Sequence, residues 1–382
     1  MELIKRGHEV TVITTDPEFR NDTAPKNLRE IDIHDMSYNV WKDFSLTVTG
    51  KEEDLTNQIS AFAKIIHNLF EQLMSVKDVQ DLIYDKKQQF DLILLEAFFV
   101  PVLGFTHIFK APTILVSTFG TIIGNYEIMG APTLPTLYHH NFRQRLYNLN
   151  YWEKVTELYQ YFRFRYIFSS NEEKCNKLIK SVFGPDTPSL SVLKNDVDLL
   201  LLNIHPIWEG NYPVPPNVIH MGGLHQTPPK KLPKDLQEYL DTSQNGVIYF
   251  SLGTNVLPSS LSQEKMKIFE NVFSQLPYNV IWKWDSDDKT VKSKNIKIYK
   301  WLPQSDILRH PNVKLFITQG GLQSTDESIT AGVPLIGIPM LGDQWYNTEK
   351  YVHHKIGIKL SLEKLTENQL KNAITEVIED KR

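Results

Sequence analysis

Residues 301–344 read WLPQSDILRHPNVKLFITQGGLQSTDESITAGVPLIGIPMLGDQ, and this stretch decides the fold. A short apolar run, Lys314–Thr318, predicts a strand that leads directly into Gln319–Gly321. A helix is predicted to begin at once, at Leu322–Ala331, and a second apolar strand, Pro334–Ile338, follows it. This succession of strand, helix and strand predicts a βαβ unit with parallel strands.

The same alternation continues outward through the rest of the chain. Helical patterns cover Thr56–Ile83 and Gln263–Gln275, and a further helix is predicted at Thr348–Lys355. The candidate strands, several of them continuous apolar runs, are Val10–Thr14, Leu92–Leu95, Thr113–Ser117, Val197–Leu202, Val247–Ser251, Asn279–Trp284 and Lys297–Tyr299. Continuous apolar strands suit parallel sheets that are covered on both faces, so the pattern predicts doubly wound α/β domains.

The proline-rich, basic segment 226–233 predicts a linker between two such domains. The expected domains are residues 1–225 and residues 234–382, in keeping with a length of 382 residues. At the start of the chain, Glu2–Arg6 has the pattern of a helix end, closed by Gly7 in the left-handed conformation. The strand that ought to precede that helix is missing, so we expect a chain truncated at both ends.

Composition and charge exclude several classes of function. The chain has 41 basic and 45 acidic residues, and a net charge of -4 gives no general footprint for nucleic acid. A single cysteine, Cys175, excludes an intramolecular disulfide framework and any multi-cysteine metal cluster. No apolar run is long enough to span a membrane, and no secretory signal follows Met1.

The stretch 301–344 also carries the chemistry of a binding site. Trp301 offers a planar stacking surface, and the glycine pair allows a ligand to approach the backbone at a helix N-terminus, where anions are stabilised. Glu327, one to two turns into that helix, can accept hydrogen bonds from vicinal hydroxyls, and Asp343-Gln344 follows the next strand. An aromatic platform, an anion cradle and polar side chains for hydroxyls together indicate a nucleotide-sugar site.

The stretch resembles the donor-binding motif of the UDP-glycosyltransferases, inverting enzymes of the GT-B fold that include the UDP-glucuronosyltransferases. The matching positions, which align without gaps, are Trp301, Pro303, Gln304, Gln319, Gly320, Gly321, Ser324, Glu327, Asp343 and Gln344. Val247–Thr254 resembles the first strand and phosphate turn of the family's donor domain, and Asn217–Gly223 resembles the segment before the linker. The resemblance implies two Rossmann-like domains that face a cleft, with the first strand of the N-terminal domain missing here.

The resemblance also implies roles for individual residues. Trp301 would stack on uracil and Gln304 would hydrogen-bond its edge, while Glu327 would bind the ribose hydroxyls. Asp343 and Gln344 would bind the hydroxyls of the sugar. The diphosphate would be held by Gln319, Gly320, Gly321 and Ser324, with help from Ser251 and Thr254. The donor is a substrate rather than a cofactor, and the resemblance implies that no metal is required.

Two departures from the family pattern concern catalysis. Gln319 stands where relatives usually carry histidine, and an amide donates a hydrogen bond to phosphate without carrying positive charge. The family's base histidine follows the first strand, which would lie upstream of Met1. Glu96, at the end of the strand Leu92–Leu95, takes the position of the carboxylate that orients this histidine. His8 is expected only to lead into the first strand of this chain.

The expected function is transfer of glucose or glucuronate from a UDP-sugar to a hydroxyl of a small lipophilic acceptor, with inversion. The alternative is a non-catalytic, UDP-sugar-binding isoform that lacks the histidine. The complete protein would lie on the lumenal side of the endoplasmic reticulum membrane, whereas the chain as given would be cytoplasmic. Residues 141–180, rich in aromatic and basic side chains, either pack on the first domain or contact a membrane surface. A homo-oligomer is also left open, and a nucleic-acid partner is not expected.

Overall fold

A computed structural model describes residues 1–19, 23–45, 51–256, 258–285 and 291–380. By their contacts, these residues form two compact units. The first comprises Met1–Ser45, Ile59–Val116 and Arg165–Leu200, and the second comprises the described residues within Leu46–Gln58, Ser117–Phe164 and Leu201–Arg382.

Helices and strands alternate along the chain. The helices are α1 (Glu2–Lys5), α2 (His34–Ser45), α3 (Leu55–Ser75), α4 (Lys77–Tyr84), α5 (Gly104–Phe109), α6 (Asn125–Ile128), α7 (Tyr151–Phe183), α8 (Leu190–Leu193), α9 (Pro206–Glu209), α10 (Lys234–Asp241), α11 (Gln263–Ser274), α12 (Gln304–Leu308), α13 (Leu322–Ala331), α14 (Gln344–His353) and α15 (Glu367–Glu379). The strands are β1 (Val10–Thr14), β2 (Leu28–Asp32), β3 (Ile93–Glu96), β4 (Thr113–Ser117), β5 (Val197–Leu202), β6 (Val218–His220), β7 (Val247–Ser251), β8 (Asn279–Lys283), β9 (Ile296–Tyr299), β10 (Val313–Thr318), β11 (Leu335–Gly337) and β12 (Gly357–Lys359).

The second unit is built on a six-stranded parallel sheet in the order β12-β11-β10-β7-β8-β9. Strand β7 lies at its centre, and all five of its residues are buried. The neighbouring strand β10 is buried at every position except Lys314. Helix α13 connects β10 to β11, and α14 connects β11 to β12. The apolar runs that predicted these strands are therefore the core of the unit.

The strands of the first unit are less completely paired. Strands β1 and β2 form a parallel two-stranded sheet of their own, and Ile31 is the one buried residue of the pair. Strands β3 and β4, which are parallel, belong to a separate four-stranded sheet of the order β3-β4-β5-β6, whose last strand is assigned to the second unit. Strand β3 lies at the edge of that sheet, where Leu94 is exposed.

The doubly wound α/β class is confirmed, and every predicted strand is present. Strands β2, β6 and β12 were not predicted, because β6 and β12 have only three residues each and three of the five residues of β2 are charged. The prediction of a single helix over Thr56–Ile83 was wrong, because Val76 has an extended backbone conformation that separates α3 from α4. There the side-chain amide of Gln80 donates to the Met74 carbonyl, which satisfies one of the carbonyls left open at the end of α3.

At the start of the chain, α1 is closed by Gly7 with φ +88°, as the sequence predicts. Segment 226–233 has neither helix nor strand and lies within the second unit. The division into residues 1–225 and 234–382 stays a prediction. Among the described residues, no helix is long and apolar enough to cross a membrane.

Candidate functional site

Two matching turns lie at the carboxyl ends of the central strands of the second unit. Ser251 ends β7 and Thr318 ends β10, and the two residues are register partners across the sheet. Each hydroxyl accepts a hydrogen bond from the N–H of the glycine two residues further on, Gly253 or Gly320, both at 3.3 Å. Both glycines have positive φ, +78° and +92°, which side chains other than glycine rarely adopt. Ligands of open α/β sheets bind beyond this edge.

The space around both turns excludes side chains. A Cβ built on Gly253 would lie 2.1 Å from the side-chain nitrogen of Gln319, and one on Gly320 would lie 2.7 Å from the methyl group of Thr348. Gln319 is itself buried, and its Oε1 has no hydrogen-bond partner among the described residues. The Gln319 amide therefore lies against the first turn and the Thr348 methyl group against the second, so only glycine fits at either position.

Helix α13 begins directly at the second turn. Its N-cap, Gly321, is extended (φ -64°, ψ 141°), and no described side chain caps the helix. The Gly321 carbonyl accepts from the Thr325 backbone N–H and hydroxyl, at 3.0 and 2.9 Å. The first N–H groups of α13 and the helix dipole can stabilise an anion beside the two glycine turns.

Gln304, at the start of α12, is hydrogen-bonded to two further predicted residues, both of which lie on α13. The Gln304 amide donates to the Ser324 hydroxyl at 2.9 Å and to the Glu327 carboxylate at 2.7 Å. The Tyr249 hydroxyl donates to Oε1 of Gln304 at 3.3 Å, so both the nitrogen and the oxygen of this amide have hydrogen-bond partners. Tyr249 is fully buried, and burial raises the pKa of its hydroxyl, which remains a donor throughout the physiological range. Gln304 therefore sets the orientation of Glu327.

Trp301 precedes this group and is 75% exposed, an unusual position for an indole. The ammonium of Lys283 lies 4.8 Å from the centre of its ring and also donates to the Gly253 carbonyl at 3.2 Å. Burial lowers the pKa of Lys283, while the nearby Asp285 carboxylate opposes that effect. Lys283 thus places a cation between the exposed indole and the first glycine turn. Sequence reasoning missed it, because a lysine at the end of a strand gives no distinctive signal.

Asp343 and Gln344 lie at the start of α14, beyond strand β11. Asp343 is half-buried, and burial raises the pKa of its carboxyl group to about 6. Gln344 is buried, and its Oε1 accepts from the backbone N–H groups of Met340 and Leu341, both at 2.9 Å. Half of the Gln344 amide is therefore committed to shaping the turn before α14. Asp343 keeps the more accessible polar group.

Asn347, which was not predicted, connects these parts of the site. Its amide nitrogen donates to the Gly320 carbonyl at 2.9 Å and to the Asp343 carboxylate at 2.8 Å. Its oxygen accepts from the indole N–H of Trp208 at 2.9 Å, and the side chain is buried. An asparagine four residues after Asp343 faces it on the same side of a helix, and this spacing could have revealed the pair.

The remaining predicted residues lie elsewhere or at the margin. Thr254 is exposed in the turn after Gly253. Glu96 ends β3 in the first unit, as predicted, and is the register partner of Val116 in β4. His8 is exposed before β1, and its carbonyl accepts from the Asn27 amide. Among the described residues, no group of three or more histidine, cysteine, aspartate or glutamate side chains could hold a metal ion.

Comparison with known proteins identifies the family of the chain. The family model described as UDP-glucoronosyl and UDP-glucosyl transferase matches residues 1–382. The chain belongs to this family. The members of this UDP-glycosyltransferase family are glycosyltransferases.

Individual relatives of this UDP-glycosyltransferase carry related names. An ecdysteroid UDP-glucosyltransferase of Spodoptera littoralis nuclear polyhedrosis virus is 32% identical over 99% of this chain and 76% of its own length. UDP-glucosyltransferase 2 of Dactylopius coccus is 30% identical over 99% of this chain and 73% of its own length. The crystal structure of a glycotransferase of kitacinnamycin aligns with a TM-score of 0.56 at 18% identity, covering 99% of this chain and 85% of that one. This likeness shows the GT-B fold.

Proposed function

We propose that the second unit binds a UDP-hexose and that the protein transfers the hexose to a hydroxyl of a small lipophilic acceptor, with inversion. The main support is the convergence of two glycine turns, the start of α13 and the Gln304–Glu327 hydrogen bond at one edge of the sheet. In this proposal the diphosphate lies against Gly253, Gly320 and the N–H groups of α13. The uracil stacks on Trp301, and Glu327 binds the ribose hydroxyls.

The electrostatics around the site suit a leaving diphosphate. As the bond from the anomeric carbon to the diphosphate breaks, negative charge develops on UDP. The N-terminal N–H groups of α13 stabilise that charge without reorganising, and the Lys283 ammonium adds a full positive charge next to Gly253. Gln319 contributes hydrogen bonding only, because its amide is neutral.

We propose glucose rather than glucuronate as the transferred sugar. The Asp343 carboxylate is assigned to the hexose hydroxyls, and its hydrogen-bond partner is the neutral amide of Asn347. Among the described residues, no lysine or arginine forms an ion pair with Asp343, so a glucuronate carboxylate would meet a like charge there. The names of the relatives, which are UDP-glucosyltransferases, support the same choice.

The chemical step is a single in-line displacement. The acceptor oxygen attacks the anomeric carbon of the α-linked UDP-glucose while UDP departs from the opposite face, and a β-glucoside results. The acceptor proton passes to a general base, and Glu96 is proposed as the carboxylate that orients the imidazole of that base. Relatives named for ecdysteroids make a polyhydroxylated steroid the first acceptor to try.

A transfer assay tests this proposal. The protein is incubated with UDP-glucose or UDP-glucuronate and a panel of lipophilic alcohols that includes an ecdysteroid, and the products are identified by mass spectrometry and NMR. The expected product is a β-glucoside formed from UDP-glucose, with little product from UDP-glucuronate. An α-glucoside, or a preference for UDP-glucuronate, would contradict the proposal. Donor binding without any transfer would support the non-catalytic alternative.

A further inference from the structure

The long helix α7 exposes a row of large apolar side chains in its first three turns. Trp152 is 74% exposed, Tyr159 65% and Phe162 56%, and Val155 and Tyr151 are exposed beside them. The spacing of residues 152, 155, 159 and 162 alternates between three and four, so these side chains lie along one face of the helix. We call this set, Tyr151, Trp152, Val155, Tyr159 and Phe162, the α7 stripe.

The opposite face of the same helix is already packed. Glu157, Tyr161 and Phe164 are buried there. The His140 ring lies against Tyr161 and Phe164, with ring centres 5.6 and 6.0 Å apart. One face of this segment is therefore packed against neighbouring residues, and the α7 stripe on the other face is uncovered. A surface that exposes several aromatic side chains in one row is usually an interaction site.

The charges around the α7 stripe are basic on both sides. With about 100° of rotation per residue, Lys154 lies about 110° from the centre of the stripe on one flank and Arg163 about 70° on the other. Both are exposed. The acidic residues of these turns point elsewhere. The Glu153 carboxylate accepts from Arg145 at 2.8 Å, and Glu157 is buried 3.4 Å from Arg143.

We propose that the α7 stripe docks on the surface of an anionic phospholipid bilayer, with the helix lying in the plane of the interface. Tryptophan and tyrosine favour the boundary between lipid and water, and flanking Lys154 and Arg163 reach the phosphates of the headgroups. A second copy of the chain fits less well, because two such faces would bring like charges together. The helix lies on the bilayer rather than across it, since no helix of the described residues can span one.

Flotation with lipid vesicles tests the proposal. The purified chain is mixed with vesicles of phosphatidylcholine alone or with about 30% phosphatidylserine, and bound protein is measured after centrifugation. Binding is expected to the anionic vesicles and to fall with added salt. Each basic residue near such a surface strengthens binding about fivefold, so Lys154→Gln with Arg163→Gln should weaken it about 25-fold. Trp152→Ser with Phe162→Ser should abolish it.

A matched control separates the stripe from exposed aromatics in general. Tyr84, at the end of α4, is 71% exposed, and Tyr84→Ser should leave vesicle binding unchanged. Circular dichroism should show that all variants remain folded, because the replaced side chains are exposed. The proposal is wrong if the wild-type chain does not float, or if the stripe variants bind as well as the wild type. It is also wrong if light scattering shows a dimer that the stripe variants dissociate, which would make a second copy the partner.

Discussion

The two units differ most in how fully their strands are paired and buried. In the second unit, β7 lies between β10 and β8 in a sheet of six parallel strands, and all five of its residues are buried. In the first unit, β1 and β2 stand as a separate pair with no fully buried residue in β1, and Leu94 is exposed on the edge strand β3. The proposed donor-site residues all belong to the second unit, because holding two glycine turns side by side needs a rigid sheet edge.

The largest difference should appear in hydrogen exchange. Backbone amides of β7 and β10 should exchange at least about 1,000-fold more slowly than those of β1 and β2, since buried core strands open only on global unfolding. Native-state exchange followed by mass spectrometry or NMR measures this ratio directly. Equal protection of the two pairs of strands would show that the sheets are equally stable and would contradict the proposed difference between the units.

Asn347→Ala should lower both the stability of the second unit and its affinity for the donor. The change removes three hydrogen bonds and leaves the Gly320 carbonyl and the Trp208 indole N–H buried without partners. A loss of about 2–4 kcal/mol in the free energy of unfolding is expected, with about a tenfold lower affinity for UDP-glucose from one lost orienting contact.

Asn176→Ala in the first unit is the matched control. Its Oδ1 accepts from the Leu190 backbone N–H at 2.7 Å, so the variant should lose about 1 kcal/mol of stability. Denaturant unfolding and calorimetry measure both quantities. If Asn176→Ala lowered the UDP-glucose affinity as much as Asn347→Ala does, Asn347 would be a structural residue only.

Asp343→Asn should separate stability from donor binding. Burial raises the pKa of Asp343 to about 6, so the folded state holds this proton more tightly than the unfolded state, where the pKa has its ordinary value of 3.8. The ionised carboxylate therefore costs stability above pH 6, and that cost disappears as the pH falls below 4. The variant should gain at most about 3 kcal/mol at pH 8, gain nothing at pH 4, and bind UDP-glucose more weakly.

Asp326→Asn provides the control for that prediction. Burial and the neighbouring Glu327 raise the pKa of Asp326 to about 6 as well, and its Oδ2 has no hydrogen-bond partner among the described residues. This variant should show the same gain in stability at pH 8 without a loss of UDP-glucose affinity. A loss equal to that of Asp343→Asn would mean that the assignment of Asp343 to the hexose is wrong.

Lys283→Ala should have the smallest effect. Its ammonium lies at the rim between Trp301 and Gly253, where water screens part of its charge. We expect about a threefold loss of UDP affinity, and a smaller one for Lys283→Arg, which keeps the charge. Isothermal titration at low and high salt would detect it. An unchanged affinity at low salt would exclude Lys283 from the site.

The sequence predicted the second unit better than the first for a physical reason. Buried parallel strands such as β7 are nearly continuous apolar runs, whereas three of the five residues of β2 are charged and it gives only a weak signal. The glycine turns were predictable because their conformation restricts the residue type. Lys283 was missed because a ring contact between side chains distant in the sequence leaves no pattern. Asn347 carried one usable signal, its spacing of four from Asp343, but its contacts with Gly320 and Trp208 left none.

Calorimetric titration of the chain with UDP tests the central claim most directly. The wild type should bind at one site. Trp301→Ala should reduce the affinity about tenfold through lost stacking on the base, and Glu327→Ala should reduce it about tenfold or more through lost hydrogen bonds to the ribose. Unchanged affinity in both variants, or no binding of UDP by the wild type, would contradict the placement of the donor site at this edge of the sheet.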